Sequence, residues 1–149
     1  MSQHLPALLV VIPLLLAPIA ALVNRWKAAW VIAVGAAFWA LYASVSLVRI
    51  VLDQGALNYE MGGWAAPYGI EYRVDLASAF VALIVSVIAA VTILYARTSV
   101  QREVSEDRGA LFYSAFILCM TGLLGIAVTG DVFNVFVFLE ISSLSAYAL

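Results

Sequence analysis

Charged side chains, cysteine and histidine are all scarce in this chain. Only 11% of its 149 residues are charged, while 66% are hydrophobic. A soluble globular domain has about 25% charged and about 45–50% apolar residues. The composition therefore excludes an ordinary soluble protein and predicts a single integral membrane domain that covers residues 1–149.

The scarcity of cysteine and histidine limits the chemistry that the chain can hold. Cys119 is the only cysteine, which excludes an internal disulfide and gives no sign of a cysteine-based metal site. His4 is the only histidine, which excludes metal and haem sites that need paired histidines within this chain. The net charge of -2 is too small to indicate a nucleic-acid partner. We expect no cofactor, no metal and no nucleic acid.

Long apolar segments are what the sequence has in abundance. A membrane-spanning helix needs about 20 apolar residues. The pattern predicts an all-α integral membrane fold of five transmembrane helices, the fifth truncated, at about residues 5–23, 28–52, 76–96, 110–129 and 131–149. A charged loop is predicted from Arg97 to Arg108. The fifth segment reaches Leu149 without a polar or basic flank, so we expect an N-terminal part of a longer polytopic protein.

The longest polar stretch lies between the second and third predicted helices. Apolar and polar residues alternate in residues 57–61 and again in residues 70–74, on either side of the turn sequence GGWAAPYG. This alternation predicts a small external β-hairpin at about residues 57–74. Trp64 and Tyr68 in its turn suit a membrane interface. Asp75 is predicted to cap the third helix.

The basic residues predict how the helices are oriented in the membrane. Cytoplasmic loops carry an excess of Lys and Arg. The predicted loops between helices one and two and between helices three and four together hold five basic residues: Arg25, Lys27, Arg97, Arg102 and Arg108. The opposite side holds only Arg49 and Arg73. The N-terminus, the hairpin and the turn before the fifth helix are therefore expected outside.

Glu140 is the most informative residue of the chain. It ends the run VFNVFVFLE, in which Asn134 is the only other polar residue, and lies about 15 Å along the predicted fifth helix, which is half of a bilayer core about 30 Å thick. A carboxylate there costs on the order of 2.5–3.5 kcal/mol and by default marks a function. Burial favours its neutral form and a nearby cation favours the charged form, so a changing partner would make it take up and release a proton.

Other polar residues of the fifth helix are candidates for supporting roles. Ser143 and Tyr147 share the helical face of Glu140 and are positioned to orient its carboxyl group or to order water. Asp131 is more simply a helix cap, and Asn134 is equally compatible with helix packing. A structural alternative also exists for Glu140 itself, as a protonated acid that bonds a neighbouring helix.

Two motifs resemble a known family. The segment TGDVFNVFVFLEISSLSAYAL resembles the fifth-helix signature of antiporter-like membrane subunits, and is most similar to the D-type subunit of the Mrp-type monovalent cation/proton antiporters. The hairpin segment GGWAAPYGIEYRVDLASAF is similar to the same subunit at the same place. Proton-pumping subunits of respiratory complex I and of membrane-bound hydrogenases share this fold and the fifth-helix acid.

The resemblance implies a role for Glu140 as the glutamate that works with a lysine on the seventh helix, which lies outside this chain. It implies a multi-pass subunit of the inner (plasma) membrane, assembled with other membrane subunits, that exchanges protons for Na+ or another monovalent cation. Such a subunit is a transporter component rather than a catalytic enzyme. Two alternatives remain open. The first is a proton-pumping module of a complex I-like oxidoreductase or hydrogenase, which would make the chain part of a translocase. The second is a non-transporting structural subunit.

Overall fold

A computed structural model describes residues 4–23, 25–63, 69–105 and 108–149, and within them five α-helices and two β-strands. The helices are α1 (Leu5–Leu22), α2 (Trp26–Gln54), α3 (Leu76–Glu103), α4 (Gly109–Val128) and α5 (Val132–Ala148), and the strands are β1 (Leu57–Glu60) and β2 (Glu71–Val74). The first four helices are long and apolar enough to cross a membrane, and α5 is a shorter apolar helix. The predicted fold class is confirmed.

Helix α4 is the centre of the bundle, because it contacts each of the other four helices. Small residues bring the helices close together, as is usual between membrane helices. The buried face of α2 is built largely from alanines at helical spacing: Ala29, Ala33, Ala36, Ala37, Ala40 and Ala43. Between α2 and α3, the hydroxyls of Ser44 and Ser86 form a buried hydrogen bond of 2.9 Å. The core is thus a membrane-type helix packing with few polar contacts.

Helix α3 is longer than the sequence predicts. It continues to Glu103 instead of ending at Ala96, so the predicted loop that begins at Arg97 is wrong over its first half. The prediction ended the helix where the apolar run ends. Residues 97–103 contain no glycine or proline, and their arginine, glutamine and glutamate side chains favour helix, so nothing stops the helix there. Residues 106 and 107 of that loop lie outside the described residues.

The predicted hairpin is present as an antiparallel pair that joins Leu57 to Val74 and Glu60 to Glu71. Its apolar side chains face the bundle, and Tyr72 and Val74 are buried there. As predicted, Asp75 caps α3, because its carboxylate accepts a 2.8 Å hydrogen bond from the Ser78 amide. The predicted interfacial residues of the turn, Trp64 and Tyr68, lie outside the described residues.

Strand β2 also contacts the turn between α4 and α5. The amide of Gly130 donates a 2.9 Å hydrogen bond to the carbonyl of Glu71. Tyr72 pairs with Thr129 in an isolated antiparallel bridge. The hairpin therefore lies directly on the start of the helix that carries Glu140.

Candidate functional site

Helix α5 begins at a defined residue. Asp131 is its N-cap, with an extended backbone, and its carboxylate accepts a 3.2 Å hydrogen bond from the Phe133 amide. This contact satisfies one of the amides that the first turn of a helix leaves free. The predicted capping role of Asp131 is confirmed.

One side of α5 packs against the bundle. Its buried residues recur at helical spacing and are Asn134, Phe138, Ser142 and Ser145. The two serine hydroxyls are satisfied within the helix, since Ser142 donates to the carbonyl of Leu139 at 3.0 Å and Ser145 to the carbonyl of Ile141 at 2.6 Å. These serines contribute to packing and leave no polar group unpaired at the contact.

Glu140 lies on the opposite side of α5 and is exposed. Ser143 and Tyr147 are exposed on the same side, Tyr147 by 94% of its surface. Phe136 and Leu144 complete this side of the helix and are also largely exposed. The structure thus places Glu140, Ser143 and Tyr147 together on a face that no described helix covers. Their roles in proton transfer remain predictions.

Glu140 is about halfway along the 17-residue α5. At about 1.5 Å per residue, the carboxylate is separated from each end of the helix by roughly 12 Å. The helix is apolar on both sides of this position. The candidate site is therefore a single carboxylate halfway along an α-helix.

Asn134 belongs to a different cluster, at the N-terminal end of α5. Its side-chain amide donates a 3.3 Å hydrogen bond to the hydroxyl of Thr129. The buried phenol of Tyr72 lies beside it, and only 2% of Tyr72 is exposed. Burial raises the pKa of the Tyr72 phenol above its ordinary value of 10.0, and a hydrogen bond with the Asn134 side chain offsets part of the rise.

Two members of this cluster, Tyr72 and Thr129, are not among the site residues that the sequence predicts. The position of Tyr72 on the inward side of the alternating hairpin pattern is the signal that indicates its burial. No comparable signal exists for Thr129, because its contacts depend on how the hairpin meets the α4–α5 turn. Two of the predicted site residues, Asp131 and Asn134, thus lie at the start of α5 and not beside Glu140.

The described part of the chain contains no group of three or more His, Cys, Asp or Glu side chains that could hold a metal ion. The carboxyl group of Glu140 and the hydroxyl groups of Ser143 and Tyr147 can supply acid–base and hydrogen-bonding chemistry.

The chain is similar to two kinds of membrane subunit. It is 38% identical over its whole length to NADH-quinone oxidoreductase subunit N of Desulforudis audaxviator, of which it covers 30%. It is 31% identical to the D-type subunit of the Na(+)/H(+) antiporter of Alkalihalophilus pseudofirmus, over 73% of this chain and 22% of that protein. The chain thus spans less than a third of the length of these curated relatives.

A solved structure shows the same fold. A chain in the structure of the Mrp complex from Dietzia sp. DQ12-45-1b matches 99% of this chain with a TM-score of 0.86 and 26% identity, and 27% of that chain is covered. No protein-family model matches the sequence. The helix order, the hairpin and these similarities together show that the chain belongs to the family of antiporter-like membrane subunits that includes the Mrp antiporter and quinone oxidoreductase relatives.

Proposed function

We propose that this chain is part of a proton-translocating subunit of a monovalent cation/proton antiporter complex, and that Glu140 is its protonatable site. One observation carries the proposal: α5 holds a single carboxylate halfway along its length, on the side that faces away from the helices that support it. The relative named as a Na(+)/H(+) antiporter subunit supports the type of transport and Na+ as the exchanged cation.

The arrangement suits a proton-transfer site for a physical reason. A carboxylate in a low-dielectric environment is charged only when a cation or hydrogen-bond donors stabilise it. Ser143 and Tyr147 supply hydroxyl groups on the side of Glu140, and these hydroxyls orient the carboxyl group or a water molecule. A basic side chain from another helix completes the pair. Movement of that partner toward or away from Glu140 drives the release or uptake of the proton.

The proposal includes a location and partners. The subunit is a multi-pass protein of the inner membrane, with its N-terminus and hairpin outside, assembled with other membrane subunits. The excess of basic residues at the end of the bundle where α1 meets α2 and α3 meets α4 supports this orientation. The multi-subunit Mrp complex in which the structural neighbour occurs supports the assembly.

The test is the Glu140→Gln substitution in the complete gene product within its native complex. Glutamine keeps the size and hydrogen bonding of the side chain and removes the titratable proton. We expect proton-coupled Na+ flux in membrane vesicles to fall at least tenfold, while the amount of assembled complex stays unchanged. Glu60→Gln, the same change at an exposed hairpin residue, is the control and should retain full flux. Wild-type flux in the Glu140→Gln vesicles would refute the proposal.

A second function has a specific observation in its favour. The 38% identity to NADH-quinone oxidoreductase subunit N extends over the whole chain. In that case electron transfer elsewhere in a complex would drive the movement of protons through Glu140. The two functions differ in what drives the flux. An imposed Na+ gradient alone moves protons through an antiporter, whereas a redox-driven pump requires an electron donor and acceptor.

A non-transporting, structural role for Glu140 has its own outcome in the same experiment. Loss of assembly in the Glu140→Gln variant would indicate this role.

A further inference from the structure

We propose that Gly122 and Gly125 of α4 are positioning residues that set the rotation and distance of α5 and thereby the place of the Glu140 carboxylate. This inference rests on the function proposed for Glu140. It concerns residues on a neighbouring helix that touch neither a proton nor a cation. Both glycines lie at close approaches within the extensive contact between α4 and α5.

The first point is Gly122, which lies against the backbone of α5. A Cβ atom added at Gly122 would be 2.7 Å from the carbonyl oxygen of Phe138 and 2.7 Å from both the amide nitrogen and the Cβ of Ser142. Two of these three atoms are backbone, so no change of rotamer can relieve the overlap. Only hydrogen at residue 122 allows α5 to lie where it does.

The second point is Gly125, about one turn further along α4, which lies under the ring of Phe138. An added Cβ there would overlap Cγ, Cδ1 and Cδ2 of that ring. Phe138 is 5% exposed, so its ring has little room to move aside. The ring therefore packs directly against the backbone of Gly125, and this contact fixes the rotation of α5 about its own axis.

Glu140 follows Phe138 by two residues and precedes Ser142 by two. Successive residues of an α-helix are about 100° apart, so each of these neighbours is about 200° from Glu140 around the helix. The two contacts with α4 therefore hold Glu140 on the opposite side of α5. Rotation or displacement of α5 at these contacts moves the carboxylate by a similar amount.

A single methyl group is enough to disturb this arrangement. An ordinary contact of a Cβ atom is at least about 3.4 Å, so Gly122→Ala requires α5 to move away from α4 by roughly 0.7 Å. A misplacement of about 1 Å at a reacting group can cost on the order of 100-fold in rate. Gly122→Ala is therefore expected to affect proton transfer even though it adds only one methyl group outside the site.

The experiment uses the complete subunit in its complex and two readouts. The first is proton-coupled cation flux in vesicles. The second is the pH at which modification of Glu140 by a hydrophobic carbodiimide, which reacts with protonated carboxyl groups, is half-maximal. For Gly122→Ala we expect at least a tenfold loss of flux and a shift of this pH midpoint, with the complex still assembled. The matched control is Gly35→Ala, because an added Cβ at Gly35 of α2 meets no atom within 4 Å. It should change neither readout.

A second-site variant tests the contact at Gly125. Gly125→Ala should also lower flux and shift the pH midpoint, and adding Phe138→Ala, which removes the overlapping ring atoms, should move both readouts back toward the wild-type values. The Phe138→Ala change should not rescue Gly122→Ala, since the overlap there is with backbone. If Gly122→Ala prevents assembly, the test of the positioning role is the comparison of Gly125→Ala with the double variant Gly125→Ala/Phe138→Ala.

The outcomes separate the inference from the proposed function. Wild-type flux and midpoint in Gly122→Ala, or lost flux with an unshifted midpoint, would overturn the positioning role while Glu140 keeps its proposed function. In the assembly-deficient case, failure of Phe138→Ala to rescue Gly125→Ala would overturn it as well. Wild-type flux in Glu140→Gln would remove the proposed function, and the pH midpoint would still report whether the glycines determine the place of the carboxylate.

Discussion

Two acidic residues of α5 lie in different surroundings, and their surroundings indicate different tasks. Asp131 is at the end of the helix and uses its carboxylate to accept a hydrogen bond from the Phe133 amide. Glu140 is in the middle of the helix, where the backbone groups are already paired and no capping role exists. A carboxylate at a helix terminus therefore has a structural explanation, and the one in the middle of the helix requires a functional or interhelical one.

At the residue scale we predict that Asp131 acts as a cap and not in transport. Asp131→Ala removes the acceptor and should lower the free energy of unfolding by about 0.5–2 kcal/mol. Asp131→Asn keeps a capping oxygen and should retain both stability and flux. Thermal unfolding of the purified complex and flux in vesicles are the two measurements. Lost flux in Asp131→Asn with unchanged stability would assign Asp131 a part in transport.

At the scale of elements, α5 is held at two places. Gly122 and Gly125 contact its middle, and strand β2 contacts its start through the hydrogen bond of the Gly130 amide to Glu71. A side chain at Gly130 would be 3.2 Å from the Cβ of Arg73, so the hairpin approaches the turn closely. The hairpin therefore contacts the start of α5, although it is far from Glu140 in sequence.

Tyr72 gives a pH-dependent prediction for the hairpin. Burial raises its pKa in the folded protein above the ordinary value of 10.0. The neutral phenol is thus favoured by folding, and its contribution to stability is fully present below about pH 10 and is lost as the pH rises through the folded-state pKa. We expect the hairpin to weaken its hold on the α4–α5 turn only above pH 10.

The measurement is a difference titration. Absorbance of tyrosinate near 295 nm is followed in the solubilised wild-type protein and in Tyr72→Phe, and their difference reports one phenol. Its midpoint should lie above that of a free tyrosine. A midpoint at or below 10 would show that Tyr72 is open to water and is not buried between the hairpin and the bundle.

At the scale of the whole molecule, the orientation in the membrane is the main prediction. The native thiol at Cys119 lies within α4 and is removed by Cys119→Ala. In that background Asn58→Cys places a thiol on β1 and Ser105→Cys places one after α3, both at exposed positions. A membrane-impermeant maleimide added to intact cells should modify Asn58→Cys alone, and Ser105→Cys only after the cells are opened. The reverse labelling would place the N-terminus in the cytoplasm.

Much of this protein follows from local properties of the sequence. Apolar runs determine the membrane helices, the period-two pattern determines the hairpin, and Asp75 and Asp131 determine helix starts, because each depends only on neighbouring residues. The position of Glu140 halfway along an apolar helix is set in the same way. The sequence predicts the end of α3 wrongly, because hydrophobicity falls at Arg97 whereas the helix continues through Glu103.

The direction in which Glu140 points was decided by the tertiary structure. Helical spacing groups Glu140 with Ser143 and Tyr147, but it does not say which side of α5 meets the bundle. That choice depends on Gly122 and Gly125, where the absence of a side chain lets the backbone of α5 and the ring of Phe138 approach α4. The contact joins residues that are distant along the chain. Its energy comes from close packing between two helices, which no local pattern records.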